Sequence, residues 1–205
     1  MRRFNSIYLA AILVLIAIAL GWYVWKLGDQ RSAQLVPTET AATVKEPGGP
    51  FQLVDQNNNA REDANFRGKY MLIYFGYTYC PDVCPTTLTN VAAALDKLGA
   101  KAERIQPLFI TVDPKRDTPA VVRQYAAAFG PRVVGLTGTA EQIAAVAKAY
   151  RVYYAEHRTG PGADDYSMDH SSVLYLMGPD GRFIAPVRAD QDGPEIAAAL
   201  AKLMS

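Results

Sequence analysis

Tyr70-Met71-Leu72-Ile73-Tyr74-Phe75-Gly76-Tyr77-Thr78-Tyr79-Cys80-Pro81-Asp82-Val83-Cys84-Pro85 joins a continuous apolar run to a pair of cysteines and two prolines. An apolar run from Tyr70 to Phe75 without polar alternation predicts a strand buried on both faces of a sheet. Pro81 and Pro85 fit a helix start, where a missing N–H costs nothing because the donors of the first turn have no partner inside the helix. Downstream, Leu88, Val91, Ala92, Leu95 and Leu98 fall on one helical face. The segment therefore reads strand, cysteine loop, helix.

Working outward toward the C-terminus, Leu108 to Val112 predicts a second buried strand, and Val122, Tyr125, Ala126 and Phe129 an amphipathic helix. Ile143, Val146, Ala147 and Tyr150 mark a third helix and Val173 to Met177 another strand. Gly178-Pro179-Asp180-Gly181 is a turn into a strand around Phe183 to Val187, where Pro186 points to a sheet edge. Ile196, Ala199, Leu200 and Leu203 close the chain as a helix. This order predicts an α/β fold, a thioredoxin-like domain over residues 50–205.

Toward the N-terminus, Arg2 and Arg3 precede a charge-free apolar run from Ile7 to Trp25. As a helix that run would extend roughly 28 Å, the thickness of a bilayer's hydrocarbon. It predicts a single transmembrane helix over 7–25, with residues 1–6 cytoplasmic and Trp22, Tyr23 and Trp25 at the far interface. A cleaved signal peptide has a shorter apolar core. Residues 26–49, polar and carrying Pro37 and Pro47, read as a flexible tether with a reach on the order of 25 Å. With no Arg-rich, Ser-rich amphipathic stretch before the span, the expected location is a bacterial inner membrane, with the C-terminal domain in the periplasm. Basic and acidic residues nearly cancel, 21 against 20, which argues against nucleic acid as a partner.

The chain has two cysteines, Cys80 and Cys84. A disulfide closing so short a loop would stabilise the fold by only about 2 kcal/mol, so a structural staple gains little. Near a helix N-terminus the thiols are biased toward thiolate, and spacing i, i+4 puts both on one side if the segment is helical. Two soft ligands suit monovalent copper, whereas structural zinc takes four. Of the two histidines, His170 precedes the Val173 strand in a loop expected to face the cysteines, where it is either a third ligand or a loop residue satisfied by hydrogen bonds. His157 reads as exposed loop and is assigned no role. Met168, Asp169 and Asp82 are candidates for auxiliary contacts, with packing, turn capping and helix-start charge as their plain alternatives.

Gly76 to Pro85, with Thr111-Val112-Asp113-Pro114-Lys115-Arg116-Asp117-Thr118-Pro119, Gly135-Leu136-Thr137-Gly138 and Asp169-His170-Ser171-Ser172, resembles the Sco/SenC copper chaperones in four blocks in order. The resemblance implies copper, Cu(I) and Cu(II), held by Cys80, Cys84 and His170. It also implies a role in assembling the dinuclear copper centre of cytochrome c oxidase. The partner so implied is the oxidase's copper-binding subunit, with other periplasmic copper chaperones or thiol reductases as further candidates. Asp113 to Pro119 reads as scaffold, with Asp117 or Thr118 capping the helix that Pro119 begins. Two rival readings stand beside the chaperone. In one, Cys80 and Cys84 are redox-active and the protein is a thiol-disulfide oxidoreductase acting on a copper protein's cysteines. In the other it is a tethered scaffold without site chemistry.

Overall fold

The computed structural model describes residues 15–26 and 46–204, which belong to two separate units of the chain divided after Lys45. In the first unit, residues 15–26 form helix α1, and Leu15, Ile16, Ile18, Leu20, Trp22, Tyr23, Val24 and Trp25 are all exposed. Among the described residues no helix is long and apolar enough to cross a membrane. The expected span's residues 7–14, the N-terminal 1–6 and tether residues 27–45 lie outside the described residues.

The second unit is built on a sheet of seven strands. In chain order they are β1 (Gln52–Asp55), β2 (Ala60–Glu62), β3 (Tyr70–Gly76), β4 (Ile105–Thr111), β5 (Val134–Thr137), β8 (Val173–Met177) and β9 (Phe183–Arg188). β6 (Tyr154–Arg158) and β7 (Tyr166–His170) form a separate antiparallel pair. The helices are α2 (Val83–Leu98), α3 (Pro119–Ala127), α4 (Ala140–Tyr150) and α5 (Gly193–Leu203). The sheet runs β2-β1-β5-β4-β3-β8-β9; β3, β4 and β5 are parallel to one another, and β8 and β9 add on antiparallel. β9 is an edge strand, the place in a sheet where a proline such as Pro186 is tolerated.

Strand alternation distributes the core to two faces. On one, Tyr74 and Phe109, paired across β3 and β4, lie beside Cys84 of α2 and Tyr125 of α3. On the other, Phe75 packs its ring against Tyr150 of α4 and Tyr175 of β8. From Met71 to Gly76 every residue of β3 is buried, as the unbroken apolar run requires. Helix starts follow local chemistry: Thr118 accepts from the Val121 amide ahead of Pro119, while Thr139 with Gln142 and Asp192 with Glu195 form capping boxes.

Two local expectations are corrected and one is decided between its alternatives. His157 and His170 lie on strands of the β6–β7 hairpin and not in loops, in register opposite Ser167 and Tyr154. Thr118 is the cap of α3, whereas Asp117 is fully buried and points elsewhere. Helix α2 begins at Val83, so Cys80 stands outside it and the two cysteines are not on consecutive turns of one helix.

Candidate metal centre

Cys84 occupies the first turn of α2 and is completely buried, while Cys80 sits half-buried in the turn before the helix. That turn closes through the Cys80 amide, which donates to the Tyr77 carbonyl. The Cys84 amide, one of the helix donors left unpaired at an N-terminus, donates to the Cys80 sulfur at 3.4 Å. Both cysteines are free thiols.

His170, the last residue of β7, brings its Nε2 to 3.3 Å from the Cys84 sulfur. Its Nδ1 lies 3.2 Å from the Ser171 carbonyl, an acceptor, so Nδ1 carries a proton and Nε2 is the ring nitrogen that faces the thiols. The ring stands edge-on to Tyr74 and Tyr77, each with centroids 6.0 Å away. Cys80 Sγ, Cys84 Sγ and a ring nitrogen of His170 all fall within 4.8 Å of one another.

Electrostatics split the two thiols. The Cys84 thiol hydrogen-bonds Cys80 and, with His170 and the Cys84 amide, holds the Cys80 thiol far below its usual range. Cys84 moves the other way, because giving its proton to that hydrogen bond and being buried both favour its neutral form. Burial also raises the Tyr74 phenol, whose hydroxyl lies 3.8 Å from the Cys84 sulfur. The resting pair is thus a thiolate at Cys80 beside a thiol at Cys84. Two sulfurs and an imidazole form a soft donor set, which fits copper and falls short of the four ligands of structural zinc.

Asp169 and Asp82 stand outside this group: Asp169 is exposed, and Asp82 is exposed with its carboxylate accepting from Thr86, while Met168 is buried in the core. His157 is exposed on β6.

Sequence reasoning passed over several residues that shape the centre. A Cβ on Gly76 would stand 2.9 Å from the Cys84 sulfur, so only glycine leaves room for that sulfur at the end of β3. Tyr74 shares that face by strand alternation, which was a readable signal for both. Asp117 accepts from the Thr78 amide and hydroxyl and from Thr111, fixing the turn that leads to Cys80.

The sequence profile of the SCO1/SenC family matches residues 39–205. Over 178 residues the chain is 42% identical to "Protein SCO2 homolog, mitochondrial" of Bos taurus, covering 84% of this chain and 66% of that protein. "Protein sco1" of Schizosaccharomyces pombe is 37% identical over 201 residues, covering 96% of this chain and 76% of the other. The chain therefore spans just under two thirds of the cattle relative and about three quarters of the yeast one. Among solved structures, ScoI of Bradyrhizobium japonicum with copper bound is 46% identical and superimposes with a TM-score of 0.71, over 77% of this chain and 99% of that one.

Proposed function

Since the chain belongs to the SCO1/SenC family, we propose that it is a copper chaperone that carries copper on Cys80, Cys84 and His170 and assists assembly of the dinuclear copper centre of cytochrome c oxidase. The single observation that carries this reading is the convergence of two sulfurs and one imidazole nitrogen, within 4.8 Å, from two separate elements of the fold. A copper-bound structure of a relative at 46% identity supports copper as the cargo. Two thiolates suffice to hold Cu(I), and the imidazole adds the harder donor that suits Cu(II). The half-buried Cys80 gives a recipient's ligands a route of approach, while Cys84 stays covered.

The wider organisation belongs to the same proposal: residues 7–25 anchor the chain in a membrane and 26–49 tether the thioredoxin-like domain 50–205. The exposed apolar side chains of α1 and the charge-free run from Ile7 to Trp25 support the anchor. Arg2 and Arg3 favour a cytoplasmic N-terminus, hence a domain on the opposite face, read as the periplasmic side of a bacterial inner membrane. Membrane fractionation with protease protection of the domain tests this.

The thiol-disulfide reading keeps one favourable observation, the asymmetric thiolate–thiol pair. The Cys80 thiolate would attack a disulfide of the target and the Cys84 thiol would resolve the mixed disulfide, leaving the target reduced and Cys80–Cys84 oxidised. Titrating detergent-solubilised full-length protein with Cu(I) and Cu(II), beside His170→Ala, separates the two. A chaperone loses copper affinity in that variant while its dithiol chemistry persists. Unchanged affinity for both ions would remove His170 from the site.

A further inference from the structure

The Asp113 to Pro119 block, which reads as scaffold, reaches both halves of the metal centre. The Arg116 side chain is 7% exposed. Its Nε donates to the Asp113 carboxylate at 2.5 Å, and its Nη1 to the carbonyls of Tyr166 at 2.8 Å and Asp164 at 3.2 Å. Asp113 in turn accepts from the Tyr166 hydroxyl at 2.8 Å. The guanidinium lies over the Tyr166 ring, 3.5 Å from its centroid, and over the Tyr79 ring at 4.7 Å. Its Nη2 is buried with no hydrogen-bond partner among the described residues. A planar cation held between two ring faces accounts for that choice of residue, because lysine can neither stack nor fork in this way.

Those two rings come from opposite halves of the site. Tyr79 precedes Cys80, and Tyr166 begins the strand that ends at His170. The two cysteines hold each other within one segment through the Cys84 amide and the Cys80 sulfur. His170 arrives on a two-stranded sheet that shares no ladder with the main one and joins β8 through Ser171 and Ser172 alone, so side-chain contacts help to set its position. We propose that Arg116, clasped between Tyr79 and Tyr166, is a positioning residue that holds the His170 hairpin at the separation from the cysteine turn at which both sulfurs and the imidazole reach one ion. The inference rests on the ligand assignment above.

The experiment compares wild type, Arg116→Met, Arg116→Lys and His170→Ala as full-length protein, measuring Cu(I) and Cu(II) affinity separately, with amide hydrogen exchange on the copper-free forms. Expected for Arg116→Met is a loss of about 10- to 100-fold in Cu(II) affinity, the usual effect of removing a group that orients a ligand. Cu(I), held by the cysteine pair, should stay close to wild type, and exchange should quicken in Tyr154–Arg158 and Tyr166–His170 without a matching change in β3 and β4. Arg116→Lys should fail to restore Cu(II) binding. Wild-type Cu(II) affinity in folded Arg116→Met overturns the positioning role, as does an equal loss for both ions. Should Arg116→Met not fold, the exposed Tyr79 decides: Tyr79→Ala is expected to weaken Cu(II) binding and Tyr79→Phe to restore it, and equal affinity across the three overturns the role. Undiminished Cu(II) affinity in His170→Ala overturns the ligand assignment and the Arg116 role with it, whereas undiminished affinity in Arg116→Met alone overturns only the latter.

Discussion

Asp117 and Thr78, 39 residues apart in sequence, are joined by two hydrogen bonds: the Thr78 amide donates to one carboxylate oxygen at 3.0 Å and its hydroxyl to the other at 2.5 Å. The Thr111 hydroxyl donates to the same carboxylate, so a buried acid ties the ends of β3 and β4 to the turn that carries Cys80.

Replacing Asp117 by Asn keeps the shape but offers an N–H₂ where a hydroxyl or amide must donate. Leaving a buried donor without its acceptor costs about 1–3 kcal/mol, so Asp117→Asn should destabilise folding by about that much. Burial, the largest influence, pushes the Asp117 carboxyl above its ordinary range. A raised folded-state pKa contributes stability that is fully present below the unfolded value and is lost as pH rises through the folded one. The stability gap between wild type and Asp117→Asn should therefore be widest in acid and narrow with rising pH. Urea unfolding of both proteins across that range checks the sign; a gap that widens with pH contradicts it.

The thiol pair makes a second forecast. With the Cys84 thiol donating to it, Cys80 is held as thiolate well below neutral pH. Alkylation by iodoacetamide should place one adduct, on Cys80, at a rate nearly flat from mildly acidic to neutral pH. In Cys84→Ala the main cause of the depression is gone, so the rate should climb with pH as an ordinary thiol's does. Rates read by mass spectrometry decide it, and a pH-dependent wild-type rate would contradict the assignment.

How far these features were legible depends on where their stabilisation lies. β3, the cysteine turn and α2 could be read because burial of both sheet faces and proline chemistry are local signals, and the edge position of β9 followed from Pro186. The β6–β7 hairpin could not. Tyr154 to Arg158 carries Glu156, His157 and Arg158 on exposed positions, so no apolar alternation announces a strand. Its order comes from the contacts of Asp113 and Arg116, which lie about 50 residues earlier in the chain. The choice between Asp117 and Thr118 as the cap stayed open for a related reason: either residue type caps a helix, and only the tertiary fold shows Thr118 capping while Asp117 turns inward.

Gly76 offers the sharpest steric test of the centre. A Cβ there would meet the Cys84 sulfur at 2.9 Å, Phe109 at 3.1 Å and Tyr74 at 3.2 Å, and all three are held in a fully packed core. None is the loose end of an exposed side chain, so the sulfur or the strand must shift. Overpacking of this kind costs about 1–3 kcal/mol. Because the displaced atom is one of the two sulfurs, Gly76→Ala should also weaken Cu(I) binding, which His170→Ala affects less. A Phe109→Leu background, by removing one of the three crowding groups, should recover part of the lost stability, since it gives the β3 end room to relax. Thermal unfolding and Cu(I) competition on the single and double variants measure both effects. Full Cu(I) affinity in Gly76→Ala would mean that the sulfur has slack which its packing against Tyr74 and Phe109 does not suggest.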